Sequence, residues 1–333
     1  MLTPDFAHNQ GVADRLHDWN GSNRIILITG GLGFLGKNLV KRCLDLGHYV
    51  INVDCVNYAA DHIVREEFKG HSNYRCIEKD IAVLDHLPEC DAIVNLAAES
   101  HVDNSISNST KFCNSNMLGV QHLLELVRQK QPTDRPRYIQ ISTDEVYGEV
   151  IDGSHFETDI LRPSNPYSAT KASADMLVMS WARTYHLDCN IIRPSNYYGP
   201  HQYPEKLIPK SCARLKRGLP ALLHGTGSYV RCWLHVEDAV DAVLTVLEKG
   251  RPNMIYNAGG NDYLKNIDIV RSLARILGAP EGSAWIFTED RLGQDQRYSI
   301  DSSRLRSLGW QPQRVFDKEL EHLVQQSEFQ RFL

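Results

Sequence analysis

From Arg24 onward, short continuous apolar runs alternate with longer stretches in which apolar residues recur at helical spacing. Runs of this kind, rich in β-branched residues, predict strands that are buried on both faces of a sheet. Strands that alternate with helices indicate an α/β fold, in which a doubly wound parallel sheet is covered by helices on both sides. The predicted strands are RIILIT (24–29), YVINVD (49–54), DAIVNLAA (91–98), YIQIST (138–143) and CNIIRP (189–194).

After Tyr198 the pattern loosens into pieces that carry proline and glycine, although helical spacing is legible again near 235–249 and 266–277. This change predicts a smaller, mixed C-terminal lobe. The first residues are polar and show no sustained period, which is typical of a loose arm. The predicted organisation is an arm (1–23), a nucleotide-binding domain (24–198, with 233–260 returning to it) and a substrate-binding lobe (199–232 and 261–333).

The composition excludes several classes of partner. A net charge of −5 over 333 residues, with Lys and Arg scattered, provides no electrostatic footprint for nucleic acid or an anionic membrane. No apolar run is long enough to span a bilayer, and the first twenty residues lack the pattern of a signal peptide. The eight cysteines occur singly, without C-x-x-C pairs, which favours reduced thiols over disulfides or a metal site. We therefore expect a cytoplasmic protein without a bound metal.

The segment ITGGLGFLG follows the first predicted strand and opens a helix, with Gly30, Gly33 and Gly36 in the spacing G-x-x-G-x-x-G. Between a strand and a helix, such glycines let backbone N–H groups and the helix N-terminus approach a pyrophosphate, as in the Rossmann fold. Asp54, at the end of the next strand, is placed to bind the adenosine ribose hydroxyls and to repel a 2′-phosphate. The pattern predicts NAD as the cofactor; the alternative is a tight turn with Asp54 as a helix cap. Asp80 is a candidate contact for adenine, or simply a turn residue.

Tyr167 and Lys171 lie four residues apart in NPYSATKASAD, at the start of a predicted helix. This spacing places both side chains on one helix face. An adjacent ammonium stabilises a phenolate, so such a pair can take a proton from an alcohol while the same carbon loses a hydride. Taken alone, such a pair usually lies on an exposed helix face. In a chain that also carries a dinucleotide-binding loop, the pair becomes a catalytic candidate.

Two adjacent acids, Asp144 and Glu145, directly follow the fourth predicted strand in QISTDEVYGE. Open α/β sheets bind ligands at the carboxyl ends of their strands. Burial and a neighbouring carboxylate both raise a carboxyl pKa, which would let Asp144 act as an acid near neutral pH. The alternative is a pair of surface acids that cap a turn.

Together with NLAAESHVD, RPSNYYGPHQYPEKLIP, GSYVRCWLHVEDAV, KNIDIV and DRLGQDQRYSID, these motifs resemble the extended short-chain dehydrogenase/reductase family. Within it they are similar to the nucleotide-sugar 4,6-dehydratases, dTDP-glucose 4,6-dehydratases in particular, from about Ile25 to Leu308. The resemblance implies an enzyme that converts an NDP-hexose into an NDP-4-keto-6-deoxyhexose by moving a hydride from C4 to C6 with loss of water. NAD would stay bound between turnovers.

The resemblance also implies roles. Glu145 would remove the C5 proton, and Asp144 would protonate the departing C6 hydroxyl. Thr143 would hydrogen-bond to the C4 oxygen. Tyr167, assisted by Lys171, would take the proton of the C4 hydroxyl. The implied cofactor-binding residues are Gly30, Gly33, Phe34, Leu35, Gly36, Asp54, Asp80, Ile81, Leu96, Ala97, Ala98, Ser100, Ser115, Tyr167, Lys171 and Tyr197. The implied substrate-binding residues are Ser100, Thr143, Asn196, Lys206, Leu207, Arg231, Asn266, Arg297 and Tyr298.

Two departures bear on the substrate. Cys232 follows Arg231 where relatives commonly have Asp, which predicts a looser hold on Arg231, and the segment between Asp54 and Asp80 is short. A UDP-N-acetylglucosamine 4,6-dehydratase, an epimerase or decarboxylase, and an idle NAD-binding regulator remain as alternatives. The Thr-Asp-Glu sequence favours a dehydratase over the epimerases. The resemblance further implies a homodimer through helices near 105–130 and 169–185.

Overall fold

The computed structural model describes residues 23–325. The first 22 residues, most of the predicted arm, lie outside it, as do residues 326–333 of the predicted lobe. The strands are β1 (Ile25–Thr29), β2 (Tyr49–Asp54), β3 (Tyr74–Glu78), β4 (Ala92–Asn95), β5 (Arg137–Ile141), β6 (Cys189–Pro194), β7 (Asn196–Tyr198), β8 (Ala221–His224), β9 (Val230–His235), β10 (Ile255–Ala258), β11 (Asp262–Lys265) and β12 (Trp285–Thr288). The helices are α1 (Phe34–Asp45), α2 (His62–Lys69), α3 (Val102–Ser107), α4 (Ser109–Phe112), α5 (Gly119–Gln129), α6 (Pro166–Tyr185), α7 (Leu207–Lys216), α8 (Val236–Lys249), α9 (Asn266–Leu277), α10 (Ser303–Arg306) and α11 (Phe316–Gln325).

Seven strands form one sheet in the order β10-β6-β5-β4-β1-β2-β3, and every neighbouring pair is parallel. This arrangement confirms the predicted doubly wound parallel sheet. The strand order reverses between β1 and β4, and a crevice at such a point is where open α/β sheets bind ligands. Because all strands run in the same direction, the segments that follow β1, β2, β4, β5 and β6 meet along one edge.

The two faces of the sheet carry separate hydrophobic cores. Ile26 and Ile28 of β1 face a core shared with α1 and α8, whereas Leu27 faces the opposite core, shared with α5 and α6. All three side chains are fully buried. Side chains alternate between the faces of a strand, so a strand covered on both sides reads as a continuous apolar run. This is why the sequence showed unbroken runs.

The chain crosses between the large sheet and the lobe more than once. β7, β9 and β11 form a three-stranded sheet, and β8 pairs with β12. After β9, helix α8 packs against α1, and β10 then pairs with β6 through Ile255 and Ile191. A third core, including Trp233, Leu273 and Phe316, supports the lobe. Elements of the lobe therefore alternate along the chain with elements of the large sheet.

All eight cysteines are free thiols, and four of them are buried. Among the described residues, no group of three or more His, Cys, Asp or Glu side chains is placed to hold a metal ion. Nor does any helix between residues 23 and 325 have both the length and the apolar character needed to cross a membrane.

Candidate active site

The glycine loop between β1 and α1 is close-packed. Gly30 has a φ of +68°, in the left-handed region, and a Cβ there would lie 2.9 Å from Ala97 N. A Cβ on Gly36 would lie 2.1 Å from the carbonyl oxygen of Gly30, so this helix position also requires glycine. Gly33 is the N-cap of α1, and a Cβ there would meet only Gly30 O, at 3.3 Å. The first turn of α1 therefore presents an open N-terminus to the cleft, which suits a pyrophosphate.

We expect Gly36→Ala to destabilise the protein by about 1–3 kcal/mol, because the added methyl group has to displace backbone. It should also reduce the amount of NAD that copurifies with the protein. Chemical denaturation and cofactor content after precipitation measure the two effects. Gly282→Ala is the matched control, since its Cβ would meet nothing within 4 Å. Equal cofactor content in the two variants would contradict a cofactor-binding role for this loop.

Asp54 ends β2 and is 7% exposed. Its Oδ2 accepts a hydrogen bond from Leu32 N at 2.9 Å, and its Oδ1 accepts one from Val56 N at 2.8 Å. The carboxylate thus fixes the shape of the glycine loop while it also lines the cleft. Burial raises its pKa, against the effect of these two bonds. The alternative role as a helix cap is wrong, because α2 is capped by Asp61.

A cleft of about 960 Å³ opens along the edge where the parallel strands end. Asp80 lines it and also accepts a hydrogen bond from Ala82 N at 2.9 Å, so it is a turn residue beside the cleft, and its contact with adenine stays a prediction. The structure brings the whole expected cofactor set to this cleft. The lining includes Gly30, Gly33, Phe34, Leu35, Gly36, Asp54, Asp80, Ile81, Leu96, Ala97, Ala98, Ser100, Ser115, Tyr167, Lys171 and Tyr197.

The two acids stand on a short 3-10 turn, Asp144–Tyr147, directly after β5. Thr143 caps this turn, its Oγ1 accepting a hydrogen bond from Glu145 N at 3.3 Å, and Gly148 ends it at a φ of +79°. Asp144 is 3% exposed, and its Oδ2 has no hydrogen-bond partner among the described residues. Burial, and then the neighbouring Glu145, raise the pKa of Asp144 to about 8. This shift favours the protonated form of Asp144 near neutral pH, and the burial of Asp144 contradicts the reading of this residue as a surface acid.

Glu145 lies beside the start of α6. Its Oε2 accepts a hydrogen bond from Asn165 Nδ2 at 3.3 Å. Asn165 also caps α6, which places Tyr167 and Lys171 in the first turns of that helix. Glu145, Tyr167 and Lys171 all line the cleft. The catalytic candidates from two separate elements thus converge on one space.

Tyr167 and Lys171 are both buried. Burial raises the pKa of Tyr167 above its ordinary value, and the Glu145 carboxylate raises it further, whereas a hydrogen bond with Thr143 lowers it. Burial also lowers the pKa of Lys171 to about 8, and its Nζ donates to the carbonyl oxygen of Ile141 at 2.6 Å. In this structure two carboxyl groups lie near the phenol and the ammonium bonds to backbone, so the stabilisation of a phenolate by Lys171 stays a prediction.

On the substrate side, Asn196, Lys206, Leu207, Arg231 and Asn266 line the cleft together with Ser100 and Thr143. Several buried polar atoms in its wall have no partner within the described chain. Buried polar groups are normally hydrogen-bonded, so unpartnered ones that face a cleft indicate a polar ligand. They are Ser142 Oγ, Asp144 Oδ2, Asn196 Oδ1, Trp233 Nε1 and Asn266 Oδ1.

Two expected substrate contacts lie elsewhere. Arg297 does not line the cleft; its Nη1 donates to backbone carbonyls of the 150–153 segment, including that of Gly153 at 2.9 Å. Tyr298 lies behind Arg231, whose guanidinium carbon is 4.3 Å from the centroid of the Tyr298 ring. The direct roles predicted for both residues are corrected accordingly. Arg291, which belongs to the same sequence motif, does line the cleft.

Cys232 does not loosen Arg231. The guanidinium donates to Val230 O at 2.8 Å and to Asp295 O at 2.9 Å, and it stacks on Tyr298. Cys232 points away into the interior and is fully buried, with its Sγ 3.5 Å from Gly260 O. Backbone carbonyls and an aromatic ring therefore orient Arg231 without a carboxylate at position 232.

Sequence reasoning missed other cleft residues, including Glu99, Glu205, Lys210 and Arg291. Asn116 accepts a hydrogen bond from Glu99 N at 2.9 Å, and its Nδ2 donates to Glu99 O and to Thr170 Oγ1, both at 3.0 Å. It lies in a π-helical stretch, Cys113–Leu118. Asn116 therefore joins the segment after β4 to α6, and so fixes one wall of the cleft.

A doubly wound sheet with a glycine loop, an acid at the end of β2 and a Tyr-Lys helix defines a nucleotide-binding protein of the dehydrogenase/reductase type. The family model described as GDP-mannose 4,6 dehydratase matches residues 27–323. The chain belongs to this family, which confirms the resemblance found in the sequence.

Known relatives of the chain agree with this membership. The Low-salt glycan biosynthesis protein Agl12 of Haloferax volcanii is 42% identical, over 90% of this chain and 97% of the relative. A dTDP-glucose 4,6-dehydratase of Xanthomonas campestris pv. campestris is 38% identical, over 88% and 90% of the two chains. The solved structure of DesIV, a dTDP-glucose 4,6-dehydratase from Streptomyces venezuelae with NAD bound, superposes with a TM-score of 0.87 at 37% identity. The superposition covers 92% of this chain and 97% of DesIV.

Proposed function

We propose that the protein is an NAD-dependent nucleotide-sugar 4,6-dehydratase that converts dTDP-glucose, or a closely similar NDP-hexose, into the NDP-4-keto-6-deoxyhexose. The observation that carries the proposal is a buried Asp144 with its pKa raised to about 8, beside Glu145 and in the same cleft as Tyr167. Elimination of water needs an acid and a base at adjacent carbons, and one side chain cannot fill both roles at once. A neutral carboxyl group next to a second carboxyl group provides both.

The residues that would hold the dinucleotide are those of the glycine loop, Asp54, which would bind the ribose, and the segment 96–98 that follows β4. The close-packed glycines and the open helix N-terminus fit a pyrophosphate. When bound, NAD supplies a positively charged hydride acceptor for the C4 carbon and returns the hydride to C6. The cycle as a whole is redox-neutral, so the protein needs no second reductant.

At C4, Thr143 and Tyr167 act on the hydroxyl group. The two side chains are hydrogen-bonded to each other, so an alcohol oxygen between them can bond to both. Tyr167 takes the proton as C4 becomes a ketone. Lys171, whose Nζ bonds to Ile141 O, lies on the same helix face, and its positive charge would stabilise the phenolate form of Tyr167.

At C5 and C6, the two acids divide the work. The ketone at C4 acidifies the C5 proton, and Glu145 removes it. Asp144, whose raised pKa favours the protonated form near neutral pH, gives its proton to the C6 hydroxyl as it leaves as water. Both groups sit on one short turn that Thr143 caps, so they reach the sugar from adjacent backbone positions. Glu145 then returns a proton to C5.

We expect the protein to bind NAD at least about tenfold more tightly than NADP, because a 2′-phosphate next to the Asp54 carboxylate would be repelled. Asp54→Asn should weaken NAD binding by about tenfold and narrow this preference, since the amide turns a donor toward one of two backbone N–H groups. Titration calorimetry of both cofactors measures this. Asp45→Asn, on the surface of α1, is the control. An unchanged preference in Asp54→Asn would contradict the ribose-binding role.

The substrate identity is tested by offering a panel of nucleotide-sugars that differ in base and in the C2 substituent, without added reductant. Mass spectrometry should show a product lighter by one water, most efficiently with dTDP-glucose. A product of unchanged mass would indicate an epimerase instead. Loss of carbon dioxide would indicate a decarboxylase.

We also propose a homodimer and a reducing, cytoplasmic location. Helices α5 and α6 pack side by side, and Leu118 and Met176 remain 56% and 50% exposed there. Such apolar positions suit an interface with a second copy. The free thiols and the substrate class suit a reducing compartment. Light scattering after size exclusion tests the dimer, and fractionation of cells tests the location.

A further inference from the structure

Asn165 occupies the junction between the segment before α6 and the helix itself. It is 7% exposed, and its Oδ1 accepts a hydrogen bond from Ser168 N at 2.9 Å. Its own backbone N–H donates to Ser168 Oγ at 3.2 Å, which completes a capping box. Pro166 occupies the first turn, where its missing N–H costs nothing. These contacts account for the start of α6, but they use only the oxygen of the Asn165 side chain.

The side-chain nitrogen of Asn165 is used differently. Nδ2 donates to Glu145 Oε2 at 3.3 Å, and this bond joins the start of α6 to the turn after β5. A cap does not need this atom, because Ser and Asp cap helices as well as Asn does. The amide thus combines a structural bond on its oxygen with a bond to a carboxyl group of the cleft on its nitrogen.

The orientation of the amide is fixed on both sides. The bond from Ser168 N determines which end is oxygen, so the nitrogen has to face Glu145. Behind Asn165, the backbone passes close to Gly293: a Cβ on that glycine would lie 3.4 Å from the Asn165 Cβ and 2.6 Å from Ser164 O. The side chain therefore sits between the helix start and the segment that carries Arg291 and Gln294 into the cleft.

Glu145 needs such an anchor. It interacts electrostatically with Asp144, Tyr167 and Tyr298, none of which carries a positive charge. An acidic side chain with a flexible stem can point away from such neighbours. A neutral amide donor holds the carboxylate in place without adding a charge of its own.

We propose that Asn165 is a positioning residue for Glu145, holding the carboxylate toward the sugar with its amide nitrogen while its oxygen holds the helix that carries Tyr167 and Lys171. The proposal rests on the proposed function, which assigns removal of the C5 proton to Glu145. Asn165 fixes the distance between the group that acts at C4 and the group that acts at C5. Its loss should affect C5 chemistry more than C4 chemistry.

Two variants separate the cap from the anchor. Asn165→Ser keeps a capping oxygen but is too short to reach Glu145. Asn165→Asp keeps the shape and the cap but replaces the donor by a charge that repels Glu145. Both, with wild type and Glu145→Gln, are studied as NAD-loaded protein with dTDP-glucose in D₂O. Rapid quenching and mass spectrometry follow the 4-keto-glucose nucleotide and the deuterium incorporated at C5.

We expect both Asn165 variants to keep the thermal midpoint and the rate of C4 oxidation of wild type within about twofold. The rate of C5 exchange should fall by about tenfold in Asn165→Ser, as for loss of one hydrogen bond to a charged group, and further in Asn165→Asp. Two results would overturn the proposal: C5 exchange at the wild-type rate in both variants, or equal losses at C4 and C5, which a cap alone would cause. If Glu145→Gln itself exchanges C5 at the wild-type rate, the assignment of Glu145 fails instead.

Discussion

Replacing Asp144 with Asn should slow the loss of water by about 10²-fold or more while C4 oxidation continues at close to the wild-type rate. Asn has nearly the same shape as a protonated Asp, so the buried turn is preserved, but an amide has no acidic proton for the C6 oxygen. Rapid quenching should therefore show the 4-keto-hexose nucleotide accumulating ahead of the dehydrated product. Equal loss of both steps would contradict the role of Asp144 as the acid at C6.

The same group predicts a dependence on pH. The pKa of Asp144 is raised to about 8 by burial and by Glu145, so the acid form is present below that pH. The rate of water loss should therefore fall as the pH rises through about 8, and this limb should be absent from the residual activity of Asp144→Asn. Single-turnover rates across the range measure it. If the rate of water loss still falls above about pH 8 in Asp144→Asn, a group other than Asp144 causes the dependence on pH.

Tyr167→Phe should slow both C4 oxidation and the loss of water, because C4 oxidation precedes the other steps. We expect a loss of about 10²–10⁴-fold in the rate of C4 oxidation, the range for one general base. The ring packs edge-on against Phe112, with centroids 6.4 Å apart, and Phe preserves that contact. The variant should therefore remain folded and keep its cofactor, as thermal unfolding and cofactor content would show.

Tyr185→Phe is the matched control for this variant. Tyr185 lies on the same helix α6, and its ring packs against Trp181 and Arg128, away from the residues that line the cleft. It should react at the wild-type rate. Wild-type C4 oxidation in Tyr167→Phe would assign the proton at C4 to another residue.

Much of the fold is readable from the sequence because its cause is local. Ile26, Leu27 and Ile28 are consecutive and apolar because they face two cores in turn, which is the pattern of a central parallel strand. Gly30 and Gly36 are required by contacts within one loop and with the strand beside it. The acids at 144 and 145 follow directly from the end of β5. Such features need only the order of the elements.

What the sequence did not reveal depends on distant contacts. Arg297 and Arg291 belong to one sequence motif. Only the folded chain shows that Arg297 bonds to backbone carbonyls near residue 150, whereas Arg291 lines the cleft. Likewise, Lys171 bonds to Ile141 on a different element, and Arg231 is held by carbonyls rather than by its neighbour in sequence. Residue type and spacing cannot specify which partner a long side chain reaches.

The central claim is that carboxyl groups at 144 and 145 share a cleft with Tyr167 and act on different carbons of one sugar. Its most direct test is a single incubation of dTDP-glucose carrying deuterium at C4, with no added reductant. We predict a product that is lighter by one water and has deuterium at C6. A dehydrated product with the label lost to solvent, or a labelled product of unchanged mass, would contradict this account.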